Sequence, residues 1–207
     1  MAATKKPILY YFNLGSKGRG EVVRLFLREL GIDYEDKLYT YEPTWHQQEV
    51  SKELQDQGLT ITRKLPSLDI DGHVLSQHIP ILRYLSRSVG AYDGTTNYEK
   101  WLVDAVSDTY IDWRFLWVAN LTDNKPEYKA ATVPRFYAIW DKFYSKNSGP
   151  YLLGNTVTYA DFVIFQALDN DEVLGWAPAS TPESLKALRA AMSARPNIKE
   201  YIAARRG

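Results

Sequence analysis

The chain has 207 residues, which is enough to form a hydrophobic core in one large domain or in two small ones. Its 25 basic residues balance its 25 acidic residues, and it lacks a basic patch with interleaved aromatic residues, so we expect no nucleic acid partner. Cysteine is absent, which excludes disulfides, thiolate metal sites and a cysteine nucleophile.

Membrane and metal functions are not expected either. The apolar runs are all shorter than the roughly 20 residues that cross a bilayer. The N-terminal run MAATKKPILYYF lacks the long apolar segment and the small-residue cleavage site of a signal peptide. His46, His73 and His78 do not have the spacing of metal ligands. We therefore expect a soluble, cytoplasmic protein with no metal site.

The first third of the chain alternates between strand and helix patterns. The short apolar and aromatic run 8–12 predicts a buried strand, and apolar residues at helical spacing predict a helix over 21–30 that Gly31 ends. Alternation over 34–39 predicts a second strand. The polar run 45–54 predicts irregular or weakly helical structure. The order β-α-β implies a parallel crossover.

A hairpin and a helix complete this first domain. Residues 68–75 predict two short strands that turn at Asp71-Gly72, and apolar spacing predicts a helix over 79–89. Gln77 and His78 stand where the second strand gives way to the helix. The order β-β-α follows β-α-β, and we assign residues 1–89 to one domain.

The rest of the chain has helical patterns throughout. The run GAYDG at 90–94 predicts a linker, and residues 95–207 predict an all-helical domain, so the fold class is α+β. The predicted helices cover 98–121, 128–144, 158–174, 182–194 and 198–205. The clearest helix start is at Thr158, which can cap the backbone, with Asp161 three residues later.

Several motifs occur in an order that resembles the cytosolic glutathione transferase family. They are YYFN followed by RGE, LPSL with its DG hairpin, the Gln77 junction, the helix TYADFVIF and the ending RPNIKEYIAAR. The resemblance covers nearly the whole chain and is to the tyrosine-type members (sigma, alpha, mu and pi). It implies a thioredoxin-like N-terminal βαβ-ββα domain, a C-terminal all-α domain, a homodimer, and glutathione as the co-substrate without a metal.

The same resemblance implies a reaction. A transferase stabilises the thiolate of glutathione and adds it to an electrophilic, mostly apolar small molecule, as in detoxification. A thiol has a reference pKa of ~8.5, and lowering it by about two units requires only ~2.7 kcal/mol. Two other functions stay open: a non-catalytic ligand-binding or structural protein, and a glutathione-dependent isomerase or peroxidase.

Two hydroxyl groups are candidates for the donor that stabilises the thiolate. Tyr11 matches the tyrosine of tyrosine-type members, and Arg19 matches an arginine that supports that hydroxyl. Ser16 is the alternative, because serine-type members use a serine in this loop and the distance from Tyr11 to Arg19 equals that of some of them. Gln77 favours Tyr11, since serine-type enzymes usually carry glutamate there.

The resemblance also implies the glutathione-binding residues, which are Trp45, Leu65, Pro66, Gln77, His78 and Asp112. Trp45 is expected at the glycyl end, where Lys52 or Lys64 would supply a positive charge. The Leu65-Pro66 bond is expected to be cis, so that the backbone of Leu65 pairs with the cysteinyl part of the ligand. The Gln77–His78 pair is expected at the γ-glutamyl end; alternatively, His78 is a solvent-exposed residue at a helix start.

Asp112 matches an aspartate that reaches the γ-glutamyl ammonium group of the other subunit. Asp104, Asp108 and Asp112 recur every four residues and share one stripe of a helix, which is either a solvated face or a site for a cation. The electrophile is expected to bind in an apolar pocket between the domains. Its predicted lining residues are Leu14, Trp113, Arg114 and Trp117.

Overall fold

The computed structural model describes residues 5–123 and 125–204. The chain forms two compact units: one runs up to Leu85 and includes the last residues from Ala203, and the other is Ser86–Ile202. The ends of the predicted domains, 1–4 and 205–207, and the predicted helix end at Arg205 lie outside the described residues.

The first unit contains a four-stranded sheet. The elements up to residue 89 are, in chain order, β1 (Ile8–Phe12), α1 (Arg19–Glu29), β2 (Glu35–Tyr39), a 3-10 helix (Trp45–Gln47), α2 (Glu49–Asp56), β3 (Ser67–Ile70), β4 (His73–Ser76) and α3 (His78–Val89). The strand order is β2-β1-β3-β4, with β1 parallel to β2 and antiparallel to β3. This mixed sheet confirms the predicted β-α-β and β-β-α order.

Local sequence accounts for most of these elements. Strand β1 is apolar and four of its five residues are buried, as its position between β2 and β3 requires. The β3–β4 turn has positive φ at both central residues, Asp71 (φ 53) and Gly72 (φ 80), which is the turn that Asp-Gly favours in hairpins. The polar segment 45–54 is more regular than its sequence suggested, since α2 has an apolar face that buries Leu54.

The helical part begins with a long helix. Its elements are α4 (Asn97–Asp123), a π-helical turn (Tyr128–Thr132), α5 (Val133–Tyr144), α6 (Tyr159–Val173), α7 (Glu183–Ser193) and α8 (Lys199–Ala204). The segment predicted as one helix over 128–144 therefore starts as a π turn. Pro134 lies at the start of α5, and a proline cannot donate the backbone hydrogen bond that a continuous α-helix needs there.

Helix α6 begins at the predicted cap. The Asp161 carboxylate accepts hydrogen bonds from the backbone N–H of Thr158 (2.6 Å), from the Thr158 hydroxyl (2.9 Å) and from the backbone N–H of Leu152 (2.9 Å). Burial raises the pKa of Asp161 to about 6, against the lowering effect of these donors. The predicted capping role of Asp161 is confirmed.

Within residues 5–123 and 125–204, the helices are all too short or too polar to cross a membrane. The same residues contain no group of three or more histidine or acidic side chains arranged to hold a metal ion.

Candidate active site around Tyr11

Tyr11 lies near the end of β1, and its hydroxyl group reaches the start of α1. The side chain is only 4% exposed and packs in a cluster with Phe12, Trp45 and Leu65. Its hydroxyl oxygen accepts a hydrogen bond of 2.8 Å from the backbone N–H of Arg19, the first residue of α1. Such amides lack a partner within the helix and carry a partial positive charge. The phenol oxygen therefore lies where negative charge is stabilised.

Two glycines of the run GRGE make room for the Tyr11 side chain. A Cβ atom on Gly18 would lie 2.4 Å from the phenol oxygen, and one on Gly20 would lie 2.2 Å from the ring. Gly18 also has φ 83, a conformation that other residues rarely adopt. The backbone of α1 can approach the ring only because both residues lack a side chain.

A buried arginine also contacts this ring. The Arg24 guanidinium lies 5.6 Å from the centroid of the Tyr11 ring, and Arg24 is only 5% exposed. It forms ion pairs with Asp36 (2.6 Å) and Glu21 (3.5 Å). Sequence reasoning missed Arg24, although a lone arginine in the otherwise apolar stretch VVRLF is a signal that could have found it.

The two candidate hydroxyls have different surroundings. Ser16 is half-buried in the loop after β1, within a turn in which the backbone N–H of Lys17 donates to the carbonyl of Leu14 (3.2 Å). Arg19 was predicted to support Tyr11 through its guanidinium, whereas the contact seen here is made by its backbone N–H. This geometry favours Tyr11, and Ser16 stays the alternative.

Trp45 is buried and its indole N–H is already engaged. It donates a 3.0 Å hydrogen bond to the backbone carbonyl of Arg63. Arg63 has a positive φ of 56, and its guanidinium donates to the carbonyl of Gln48 (3.2 Å) and to the hydroxyl of Ser51 (2.9 Å). Sequence reasoning missed Arg63, which stands beside Lys64 in the run TRKLP.

The predicted lysines are on the surface. Lys52 forms an ion pair with Asp56, one turn later on α2, and its side chain is 53% exposed. Lys64 is exposed as well. Arg63 is therefore a third cation in this region, and it is the one fixed beside Trp45.

The Leu65-Pro66 peptide bond is cis, as the resemblance implied. Both residues are buried, and they lie just before β3, whose pairing with β1 starts at Ser67 opposite Tyr10. Leu65 belongs to the cluster that surrounds Tyr11. The structure thus places Leu65, Trp45 and Tyr11 in one cluster.

Gln77 lies between β4 and α3, and His78 follows it. Gln77 is exposed and has a positive φ of 72, which is uncommon outside glycine. His78 is the first residue of α3 and is only 2% exposed. The alternative of a solvent-exposed histidine is wrong, because its imidazole is packed inside the unit.

The three aspartates of α4 do not form one uniform stripe. Asp104 is half-buried and accepts a hydrogen bond from the Tyr159 hydroxyl. Asp108 and Asp112 are exposed. The predicted site residue of this set, Asp112, is therefore open to solvent.

Three of the four residues predicted to line the substrate pocket are in the helical core. Trp113, Arg114 and Trp117 are 0%, 0% and 1% exposed. The Arg114 guanidinium lies 4.5 Å and 4.7 Å from the centroids of the two indole rings. This burial argues against a pocket role. Leu14, the fourth residue, is half-buried against the Tyr11 cluster.

Arg114 is also the centre of a buried polar network. It donates to the hydroxyl of Tyr110 (3.1 Å), to the side-chain oxygen of Gln166 (2.7 Å) and to that of Asn170 (3.0 Å). Asp171 is buried nearby, and burial raises its pKa to about 7, although the positive charge of Arg114 opposes that shift. The sequence patterns gave no indication of this network.

Comparison with known proteins identifies the family. A model of the glutathione S-transferase N-terminal domain matches residues 7–87, and a model of the C-terminal domain matches residues 111–205. A solved glutathione S-transferase structure from Caenorhabditis elegans is 30% identical, covers 97% of this chain and 98% of its own, and superposes with a TM-score of 0.79. This chain belongs to the glutathione S-transferase family.

Further relatives are consistent with this glutathione S-transferase assignment. Glutathione S-transferase P 10 of Caenorhabditis elegans is 29% identical over 204 residues, which are 97% of this chain and 92% of the relative. The Pi-class glutathione S-transferase of Onchocerca volvulus has the same fold, with a TM-score of 0.82 at 24% identity, covering 97% of this chain and 93% of its own. The thioredoxin-like first domain and the all-helical second domain are therefore those of this family.

Proposed function

We propose that this protein is a glutathione transferase in which Tyr11 stabilises the thiolate of bound glutathione. The observation that carries the proposal is the 2.8 Å hydrogen bond from the backbone N–H of Arg19 to the phenol oxygen. A hydroxyl that accepts this bond at a helix start can donate its own proton to a sulfur anion. The thiolate then attacks an electrophilic, mostly apolar molecule, and no covalent protein intermediate is needed.

The remaining predicted residues hold the tripeptide. The backbone of Leu65 before the cis Pro66 pairs with the cysteinyl part, and Gln77 with the backbone amide of His78 at the start of α3 binds the γ-glutamyl carboxylate. Asp112, which is exposed on α4, binds the ammonium group of a glutathione held by a second copy of the chain. These roles rest on the match to the family pattern.

The location, the oligomeric state and the cellular role of the protein are part of the same proposal. We expect a cytoplasmic homodimer with a role in detoxification, in line with the tyrosine-type resemblance. The names of the relatives favour a transferase over a non-catalytic ligand-binding or structural protein, and over an isomerase or peroxidase.

The test is a conjugation assay with the purified full-length chain, glutathione and a haloarene such as 1-chloro-2,4-dinitrobenzene. The expected result is retention on immobilised glutathione and conjugation well above the uncatalysed rate. Absence of conjugation with both haloarenes and enones, for a folded protein, would contradict the proposal. Retention of a hydrophobic dye by such an inactive protein would instead favour the ligand-binding alternative.

A further inference from the structure

Arg24 is buried in the first unit and its guanidinium lies over the ring of the proposed catalytic tyrosine. It is 5% exposed, and its guanidinium carbon lies 5.6 Å from the centroid of the Tyr11 ring. A desolvated cation over an aromatic face is attracted by the negative face of the ring. The Tyr11 ring is therefore approached both by this cation and by the backbone of α1 at Gly20.

The position of the guanidinium is fixed by two carboxylates. Its Nε and one terminal nitrogen donate to the two oxygens of Asp36 at 2.6 Å and 3.2 Å, and the other terminal nitrogen lies 3.5 Å from Glu21. Glu21 is fully buried, whereas the Asp36 side chain is 31% exposed. A two-point contact with a carboxylate fixes the plane of a guanidinium as well as its place.

We propose that Arg24 is a positioning residue for the glutathione reaction: clamped by Asp36 and Glu21, it holds the Tyr11 ring so that the hydroxyl meets the sulfur of glutathione. Its positive charge beneath the ring also favours the negative charge that the phenol and the sulfur share. This inference rests on the proposed function of Tyr11. Helix α1 then acts on Tyr11 through two groups, which are the backbone amide of Arg19 and the guanidinium of Arg24, about one and a half turns later.

The test compares Arg24→Met, Arg24→Lys and wild type in the full-length chain. The pH dependence of kcat/KM with a haloarene should shift upward by about half a pH unit to one pH unit in Arg24→Met, and Arg24→Lys should restore part of that shift. Affinity for S-hexylglutathione, which has no free thiol, should stay within about twofold of wild type in both variants, since it reports tripeptide binding without the thiolate.

Arg28→Met is the matched control, because Arg28 lies on the same helix with its guanidinium 5.9 Å from the centroid of another ring, that of Tyr34. It should leave the pH profile unchanged. Arg24→Met removes the cation that pairs with the buried Glu21 and can fail to fold. Asp36→Asn is the variant to use in that case, because it weakens the ion pair that fixes the guanidinium while Arg24 itself is retained. It should shift the pH profile of kcat/KM in the same direction by a smaller amount.

The outcomes separate this inference from the proposed function. Suppose that wild type conjugates glutathione and that the pH profile of kcat/KM in Arg24→Met coincides with that of wild type. Arg24 then has no positioning role. If Arg24→Met does not fold, the pH profile of Asp36→Asn decides in the same way. A shifted pH profile accompanied by a comparable loss of affinity for S-hexylglutathione would also overturn the inference, because it indicates that the whole binding site is disturbed. If wild type itself neither binds nor conjugates glutathione, the proposed function fails first.

Discussion

Tyr11 and Tyr110 are surrounded by the same kinds of groups, a guanidinium at the ring and an N–H donor at the phenol oxygen, but these groups are connected differently. Each ring faces a guanidinium, at 5.6 Å for Arg24 and 5.3 Å for Arg114. Each phenol oxygen accepts an N–H, but Tyr11 takes it from the backbone at the start of α1 and Tyr110 takes it from the guanidinium of Arg114.

The difference lies in where the bonds lead. The hydroxyl of Tyr110 donates to Gln166 at 2.6 Å, and the same Gln166 oxygen accepts from Arg114, so that network closes on itself inside the core. The hydroxyl of Tyr11 is anchored at a helix terminus, a place that favours anions. An arginine–tyrosine pair is thus part of a buried network in one unit, and in the other it lies at the site where we propose the chemistry.

The largest expected effect is on stability, from Arg114→Met. Removing the guanidinium deletes its buried hydrogen bonds to Tyr110, Gln166 and Asn170, so we expect the free energy of unfolding to fall by about 3–5 kcal/mol. Chemical denaturation measures it. The relative rates with different electrophiles should stay as in wild type.

Arg135→Met is the control, because Arg135 is exposed and its guanidinium lies 5.1 Å from the centroid of the Phe136 ring. Arg135→Met should lower the free energy of unfolding by no more than about 1 kcal/mol. An Arg114→Met protein of normal stability with altered electrophile preference would show that Arg114 lines the substrate pocket after all.

The next effect is on the chemistry, from Gly18→Ala compared with Gly15→Ala. Both glycines have positive φ, +83 and +58, so an alanine is strained at either position. Only at Gly18 does the new Cβ meet the Tyr11 hydroxyl, at 2.4 Å, whereas at Gly15 it meets nothing within 4 Å. We expect kcat/KM to fall about a hundredfold for Gly18→Ala, by loss of the thiolate donor, and less than about threefold for Gly15→Ala. Equal losses would refute a role for the Tyr11 position.

A smaller effect is a pH dependence of the stability of the helical unit. Burial raises the pKa of Asp171 from 3.8 to about 7, so the folded state holds a proton that the unfolded state releases. This contribution to stability is complete below about pH 4 and is lost as pH rises to about 7. We expect wild type to lose about 2 kcal/mol between pH 5.5 and 7.5 from this site.

Asp171→Asn should remove that slope, because an amide does not titrate. Urea unfolding at several pH values checks it, with Asp108→Asn, an exposed carboxylate on α4, as the control. A slope that persists unchanged in Asp171→Asn would show that the buried carboxyl stays ionised in the folded protein.

The fold followed from the sequence because local signals agreed with one another. The Asp71-Gly72 turn, the apolar run of β1 and the Thr158–Asp161 cap each depend on residues close together in the chain. The polar run that forms α2 was underestimated, because burial of Leu54 against the Tyr11 cluster is a tertiary contact.

The site was only partly predictable for the same reason. Motifs in the sequence indicated Tyr11, Trp45 and Leu65 as candidate site residues, and the structure packs them in one cluster. The clamp on Arg24 joins α1 to β2, and the contact of Trp45 with Arg63 spans 18 residues, so neither has a local signature. For Trp113 and Trp117, apolar spacing on a helix indicates burial but does not distinguish a core from a pocket.

The central claim is that the Tyr11 hydroxyl lowers the pKa of the glutathione thiol, and titration of the bound thiol by its ultraviolet absorbance tests it directly. Wild type and Ser16→Ala should both ionise the thiol about two pH units below its ordinary ~8.5, whereas Tyr11→Phe should return it close to that value. The account would be contradicted if the bound thiol kept its lowered pKa in Tyr11→Phe and returned to its ordinary pKa in Ser16→Ala. That result would assign the role to the serine.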